Sequence, residues 1–180
     1  MQDRVAERRD VARVQLIETR EQASPDQEGA FDHIVASRGR MLRPYAAMLH
    51  RPEIAQATSD LGAVIRFDST LSDRDRELII VTTAVEQDCA FEWDAHRPLA
   101  AEAGVSEGTL GAVADRGDVA DERDSVIVAY VRSLTDTGKV DDATFATAHA
   151  LFGDAGLVEM TAVVGYYTLL AMFMNAVEAC

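Results

Sequence analysis

The chain has 180 residues, of which 48% are hydrophobic, and a net charge of −14. This length and composition predict one globular domain with a sizeable core rather than a disordered chain. The acidic balance argues against a nucleic-acid partner, because phosphates are held by clustered Lys and Arg. No stretch reaches the roughly 20 apolar residues needed to cross a bilayer, and the charged start argues against a signal peptide. We therefore expect a cytoplasmic protein with no membrane partner.

The start of the chain predicts a separate N-terminal arm. A polar helix with a weak apolar stripe is expected from Gln2 to Gln22. Such a helix would either be solvated or cover a partner subunit. Ser24 followed by Pro25 then indicates a new helix start, with a cap and proline in the first turn. We place the arm at residues 1–24 and a helical domain at 25–180.

The rest of the chain predicts helices in series. Apolar residues recur at helical spacing, and caps, prolines and glycines stand where helices are expected to begin and end. The run around Val126 and Ile127 is rich in β-branched residues, but no partner strand is visible, so we assign it to a helix. Helices are expected at about 26–37, after Pro44, from Pro52 to 67, at 74–86, 89–103, after Ser106, and at 124–134, 141–152 and 157–177.

Two of these helices have distinctive apolar faces. Ile54, Leu61 and Val64 belong to an apolar face of the helix that follows Pro52. The last helix, at 157–177, is apolar almost all round, and it is therefore either the central core helix or an interface helix. A short turn is expected before it, at 153–156. The predicted fold class is all-α, with about eight helices in one domain.

The stretch from Leu71 to Gly104 carries the candidate site. An acid, a thiol, a second acid, an indole and an imidazole fall in otherwise apolar, helix-forming sequence. Burying so many titratable groups on helical faces costs free energy, so their presence indicates a functional site. These residues are Glu77, Cys89, Glu92, Trp93 and His96.

Helical geometry predicts how these side chains meet. At about 100° per residue, Cys89, Glu92 and His96 share one face. A helix that begins near Cys89 would place its sulfur at the positive end of the helix dipole and favour the thiolate. His96 would act as a base or as a cation beside it. Glu77 reaches the same point only if its helix packs antiparallel to the next one, which a short turn at 87–88 would allow.

Each residue also has an ordinary structural interpretation. Cys89 alone is more often a small buried hydrophobe, and Trp93 alone is more often a core or interface residue. Glu77 could be solvated, and His96 could be a hydrogen-bonded core histidine. The coincidence of all four favours a site. A metal is disfavoured, because the spacing lacks the paired Cys or His of zinc sites.

A substrate carboxylate would need a cation to hold it. An arginine is the usual partner, because its guanidinium binds a carboxylate through two parallel hydrogen bonds. We choose Arg43, together with Trp93, as substrate-binding residues. The alternatives are Arg38, Arg40 and Arg66.

The motif resembles the signature of the carboxymuconolactone decarboxylase and alkylhydroperoxidase D (AhpD) superfamily. The matching pattern is Glu77, eleven residues, Cys89, two residues, Glu92, three residues and His96. The segments LHRPEIA, LSDRDRELIIV and AAEAGVSEGTL are also similar, so the resemblance covers roughly residues 31–115. It implies an AhpD-like helical bundle in which a central helix-turn-helix carries the site. It also implies a homotrimer or hexamer with sites near subunit contacts.

The two branches of the superfamily imply different reactions. The peroxidase branch uses a C-x-x-C pair, whereas here Glu92 stands at the position of the second cysteine. The F-E-W-x-x-H sequence that ends at His96 is similar to the decarboxylase branch, in which acids and bases manage the protons without a cofactor. There a cationic His96 would stabilise and protonate the intermediate, while Glu77 or Glu92 shuttles the proton.

Three hypotheses follow. The first is a cofactor-free, decarboxylase-like lyase acting on a small lactone or carbonyl acid. The second is a thiol-dependent alkylhydroperoxidase, of peroxiredoxin type, in which Cys89 reacts with the peroxide and an external thiol regenerates it. The third is a non-catalytic oligomeric binding protein of the same fold.

Overall fold

The computed structural model describes residues 12–179, and this part of the chain contains eight α-helices and no strand. The all-α prediction is therefore confirmed. A short 3₁₀ helix, Arg20–Gln22, comes first. The α-helices are α1 (Glu28–Arg38), α2 (Arg43–Met48), α3 (Pro52–Phe67), α4 (Asp73–Glu86), α5 (Ala90–Glu102), α6 (Glu107–Ala114), α7 (Glu122–Thr137) and α8 (Asp142–Val177).

Local caps explain most of these boundaries. The side chains of Ser72, Ser106 and Asp121 each accept a hydrogen bond from a backbone N–H in the first turn of α4, α6 and α7. Such bonds satisfy donors that have no partner inside the helix. Gly39 and Gly138 end α1 and α7 with φ of 76° and 70°, a left-handed conformation that glycine adopts without strain.

The predicted helix from Gln2 to Gln22 differs from the structure. Its residues up to 11 lie outside the described part of the chain. Over residues 12–19 the chain is not helical, so this part of the prediction is wrong. Its backbone bonds to other segments instead, with Arg13 N–H donating to the Val177 carbonyl at 2.7 Å and Ile17 N–H donating to the Ala46 carbonyl at 3.0 Å. Ile17 is buried, and the backbone of this segment is held by hydrogen bonds to distant residues instead of by the bonds of a helix.

The chain divides into two compact units, Met1–Ala57 with Phe173–Cys180, and Thr58–Met172. In the described part of the first unit, Ile34, Ala46 and Leu49 are fully buried. The second unit is built around α4. Four consecutive α4 residues, 78–81, are fully buried, so this helix is covered on every side. α4 packs against α5, α6 and α7.

α4 and α5 form a helical hairpin with a three-residue connection. The N–H of Cys89 donates to the Ala84 carbonyl at 2.9 Å, and that of Asp88 donates to Val85 at 3.1 Å. This pair of bonds is the Schellman pattern, whose left-handed position is usually glycine. Here Asp88 occupies it with φ of 50°. Its carboxylate accepts a hydrogen bond from Arg116 at 2.8 Å, which helps to hold the turn.

α8 is interrupted once. Gly153 has φ of 63° and ψ of −175°, so only this residue of the predicted 153–156 turn leaves the helical conformation. An 18-residue window of α8 has a mean hydropathy of 1.6. By length and composition this helix could cross a membrane, which corrects the expectation that no stretch reaches that level. Half of the window is buried inside the fold, as in a core helix.

Candidate functional site

The centre of the site is a buried pair between the two helices of the hairpin. Glu77 lies on α4 and His96 on α5, and the Nδ1 atom of His96 is 2.7 Å from Oε2 of Glu77. Both side chains are buried, with 4% of each residue exposed. Nine residues of α4 follow Glu77 and six residues of α5 precede His96, so the two side chains lie at similar heights on either side of the turn. The contact between Glu77 and His96 that the sequence spacing allowed is therefore present in the structure.

This pair fixes the orientation of the imidazole. Because a carboxylate only accepts hydrogen bonds, the close contact assigns the proton to Nδ1 of His96. The other ring nitrogen, Nε2, then faces the remaining groups of the site. It can accept a proton, or donate one when the ring is charged.

Glu92 is the second carboxyl of the site. Its Oε2 lies 3.6 Å from Nε2 of His96, one helical turn away on α5. Its Oε1 is buried and has no hydrogen-bond partner among residues 12–179. Burial raises the pKa of Glu92, and the charges of His96 and Arg66 oppose that shift. Burial disfavours the charged form, so this carboxyl holds its proton at a higher pH than a solvated glutamate.

Tyr167 of α8 also belongs to the site, although the sequence did not single it out as a site residue. Its hydroxyl lies 3.4 Å from Nε2 of His96, and its ring packs edge-on against the imidazole at 5.1 Å. The signal available in the sequence was a buried-type tyrosine in an apolar helix, where the hydroxyl needs a partner. Nothing in the sequence indicated that this partner would be His96.

Cys89 and Trp93 line a pocket of about 320 Å³ in the second unit. Cys89 is buried and stands at the N-cap of α5, so the prediction of a thiol at the start of this helix agrees with the structure. The positive end of the helix dipole favours negative charge there. Trp93 is half-buried. The other residues of the pocket wall are Ala84, Val85, Asp88, Ala90, Ala114 and Arg116.

The arginines that were considered for substrate binding lie in different parts of the structure. Arg43 lies in the first unit, where its Nε donates a hydrogen bond to the carbonyl of Ala179 at 2.7 Å. Its role in substrate binding stays a prediction. Arg66, at the end of α3, is the one of the four candidates whose charge acts on Glu92. Arg116 lines the Cys89 pocket and had not been considered.

Within residues 12–179, no group of three or more His, Cys, Asp and Glu side chains is arranged to hold a metal ion. The arrangement is suited to proton transfer. A carboxylate orients an imidazole, the imidazole faces a carboxyl with a raised pKa, and a tyrosine hydroxyl lies beside them. These are the group types that serve as general acids and bases.

Residues 52–129 match the carboxymuconolactone decarboxylase family. This region contains the whole motif from Glu77 to His96. No curated protein matches the sequence significantly.

Several solved structures share the fold. A peroxidase-related protein with an alkylhydroperoxidase AhpD core, from Ralstonia eutropha, has a TM-score of 0.73 at 17% identity, covering 92% of this chain and 90% of its own. An Agrobacterium tumefaciens protein of unknown function, described as a candidate AhpD antioxidant defence protein, has a TM-score of 0.64 at 23% identity, covering 71% and 90%.

The debrominase Bmp8 also has this fold. A cysteine-to-alanine variant of it, solved with 2,3,4-tribromopyrrole, has a TM-score of 0.71 at 15% identity, covering 93% of this chain and 91% of its own. At these identities the likeness concerns the fold. The family match over residues 52–129 and the shared helical architecture agree, and the predicted resemblance to the carboxymuconolactone decarboxylase and AhpD-like superfamily is therefore confirmed.

Proposed function

We propose that the chain is a cofactor-free, decarboxylase-like enzyme that acts on a small lactone or carbonyl acid by acid–base catalysis. The observation that carries this proposal is Glu92. Its carboxyl is buried, its pKa is raised, and it faces His96 with one oxygen that has no partner in the described chain. A carboxylic acid that keeps its proton to a higher pH than a solvated glutamate is better placed to donate it to a reacting carbon.

The proposed reaction needs only proton management. The bond between a ring carbon and the carboxylate carbon breaks, carbon dioxide leaves, and the electron pair moves into the conjugated carbonyl as an enolate. The enolate carbon then takes a proton from Glu92 or from His96. Glu77 holds Nδ1 of His96, so that Nε2 can pass a proton to or from Glu92. No oxidant or reductant is consumed.

We place the substrate in the pocket lined by Cys89 and Trp93. Trp93 would supply an apolar surface to a small ring. Arg116 would supply the cation for a substrate carboxylate, competing with its present partner Asp88. Glu92 and His96 are not among the residues that line this pocket, so the proposed reaction requires Glu92, which follows Cys89 by three residues, to reach the substrate from behind the pocket wall. We propose that this enzyme is a cytoplasmic homo-oligomer.

A thiol peroxidase is the second candidate, and the position of Cys89 favours it. The thiol lies at the N-cap of α5 and lines a pocket. In that reaction the thiolate attacks the O–O bond of a hydroperoxide, giving a sulfenic acid and an alcohol. An external thiol then reduces the sulfenic acid. The neighbour solved with its cysteine replaced, and the AhpD-type neighbours, also motivate this alternative.

The discriminating experiment compares His96→Gln, Cys89→Ser and the control His149→Gln on a panel of small lactone acids and on an organic hydroperoxide. His149 is an exposed histidine of α8 that pairs with Asp154. Acid–base catalysis predicts that His96→Gln lowers kcat/KM for release of carbon dioxide by about 10²- to 10⁴-fold. Cys89→Ser should keep the larger part of that activity, and His149→Gln all of it.

The opposite pattern would support the thiol reaction. In that case the wild type consumes hydroperoxide with an added thiol, and Cys89→Ser abolishes the consumption. If the wild type turns over neither class of substrate, both enzymatic proposals fail and the non-catalytic binding protein gains support.

A further inference from the structure

The outer face of α8 carries a regular row of exposed apolar and small residues. Val158 is 70% exposed, Leu169 46% and Met172 61%. The positions of the row alternate between steps of three and four residues, the spacing at which two helices pack along their length. We call this row the α8 seam, which consists of Ala155, Val158, Ala162, Gly165, Leu169 and Met172.

The packing of this chain does not explain the glycine in the middle of the seam. A Cβ atom built on Gly165 would have no neighbouring heavy atom within 4 Å. Gly156 is different, because a Cβ there would lie 2.6 Å from the Cβ of Phe152. A glycine inside a helix weakens it relative to alanine. At Gly165 no close contact within the described chain calls for a glycine, and small residues allow another helix backbone to approach closely.

We propose that the α8 seam is a two-fold contact with a second copy of this chain. In an antiparallel pair centred between residues 162 and 165, Ala162 of one copy faces Gly165 of the other. Val158 then faces Leu169, and the outer seam positions face each other in the same way. The small residues meet at the centre and the larger ones flank them, so the row is complementary to itself, as a two-fold interface requires.

The charge distribution supports a second copy as the occupant. With a net charge of −14, two copies repel each other over most of their surface. The segment 160–177, which holds the central and C-terminal seam positions, contains no charged residue, so two copies can approach there without placing like charges together. Two acids lie close to the seam, and each has a partner in its own chain: Glu159 accepts hydrogen bonds from the hydroxyls of Ser69 and Thr70, and Asp154 pairs with His149.

A lipid surface is the other occupant that an apolar helix face could have. Helices that lie on membranes carry Lys and Arg beside the apolar face, which attract anionic headgroups. The sequence has no Lys or Arg after Lys139. The seam therefore lacks the cations that such binding uses, and a protein partner with the same uncharged surface fits it better.

The proposed contact lies on the helix that supplies Tyr167 to the site. Tyr167 is on the buried side of α8, with its hydroxyl 3.4 Å from His96, and the seam is on the exposed side. Pairing would immobilise α8 directly behind the site. The inference concerns assembly and does not depend on which reaction the site performs. It requires an even number of subunits, so the hexamer implied by the resemblance satisfies it and an unpaired trimer does not.

The first test compares Leu169→Glu with Phe145→Glu. Phe145 is 47% exposed, close to the 46% of Leu169, and precedes the break at Gly153. Light scattering over a concentration series gives the mass in multiples of the 19.6 kDa subunit. The wild type and Phe145→Glu should have an even number of subunits. Leu169→Glu should have half that number, with unchanged helix content by circular dichroism.

Gly165→Ala provides a second, more specific test. In the wild-type background the added methyl group should raise the dissociation constant of the pair at least tenfold, because it separates the helices. In the Leu169→Glu background the same change should raise the melting temperature, because alanine favours the helix. A structural role inside one subunit would not give these opposite signs.

Three results would overturn the inference. The first is a wild type that stays at one subunit, or at three, at all concentrations. The second is a Leu169→Glu variant that keeps the wild-type mass. The third is a wild type that stays single but cosediments with phosphatidylcholine vesicles, while Leu169→Glu does not, because the occupant would then be lipid.

Discussion

Two groups of buried carboxyls in the second unit differ in their partners. In the first group, here called the arginine cluster, every carboxylate meets a guanidinium. Asp75 accepts a hydrogen bond from Arg123 at 2.7 Å. Asp124 accepts two from Arg74, at 2.7 and 2.9 Å, and a third from the hydroxyl of Thr109. Arginine cannot lose its proton, so these pairs always keep their cation, and the bonds hold α4, α6 and α7 together.

The second group, here called the histidine cluster, consists of Glu77, Glu92 and His96. In place of a guanidinium it contains an imidazole, a group that can both accept and donate a proton. One carboxyl orients the ring, and the other faces it at 3.6 Å with a raised pKa and an oxygen that has no partner among residues 12–179. A buried carboxylate whose oxygens are all paired with arginine serves to stabilise the fold. Incomplete pairing beside a titratable group leaves it able to exchange a proton.

The largest effect on stability is expected from Asp124→Asn in the arginine cluster. Loss of the charge leaves Arg74 without its main partner, and we expect a loss of about 3 kcal/mol in the free energy of unfolding. Turnover by the folded fraction should stay within about twofold, since no group of the histidine cluster changes. Urea unfolding and kcat measure the two effects. Asp118→Asn, at an exposed acid, is the control and should change stability by less than about 0.5 kcal/mol.

Glu77→Gln should have the converse effect. The amide keeps the shape of the side chain but removes the charge that orients His96, so we expect kcat to fall by about 10- to 100-fold. The free energy of unfolding should change by less than about 1 kcal/mol, because the amide oxygen can still accept from Nδ1. If stability falls as much as in Asp124→Asn while kcat is unchanged, Glu77 is structural and the contrast between the two clusters fails.

The smallest effect is the pH dependence of stability caused by Glu92. Burial raises the pKa of this carboxyl above 4.5, so the contribution of its protonated form is complete below that pH. The contribution is lost as the pH rises through the raised value. Glu92→Gln cannot ionise, so its stability relative to the wild type should increase as the pH rises above about 4.5. Urea unfolding at several pH values measures this, and a constant difference would show that Glu92 titrates as a solvated acid does.

Much of the fold could be predicted because its signals are local. Ser106 caps the helix that was expected after it, and Gly39 ends α1 close to its predicted end at 37. The prediction failed over residues 12–19, where the backbone bonds to distant segments rather than to itself. It also gave no indication that the apolar face of α3 is largely exposed, with Ile54 52% and Val64 56% accessible. Periodicity identifies an apolar face but does not say what covers it.

The sequence by itself determined the helices, the hairpin and the meeting of Glu77 with His96, because helical spacing and a short turn leave few other arrangements. Only the tertiary structure decided what surrounds that pair. Tyr167, on α8, comes 71 positions after His96 in the sequence, and Arg66 acts on Glu92 from α3. The same packing raised the pKa of Glu92, since burial depends on every helix that covers the side chain and not on its neighbours in sequence.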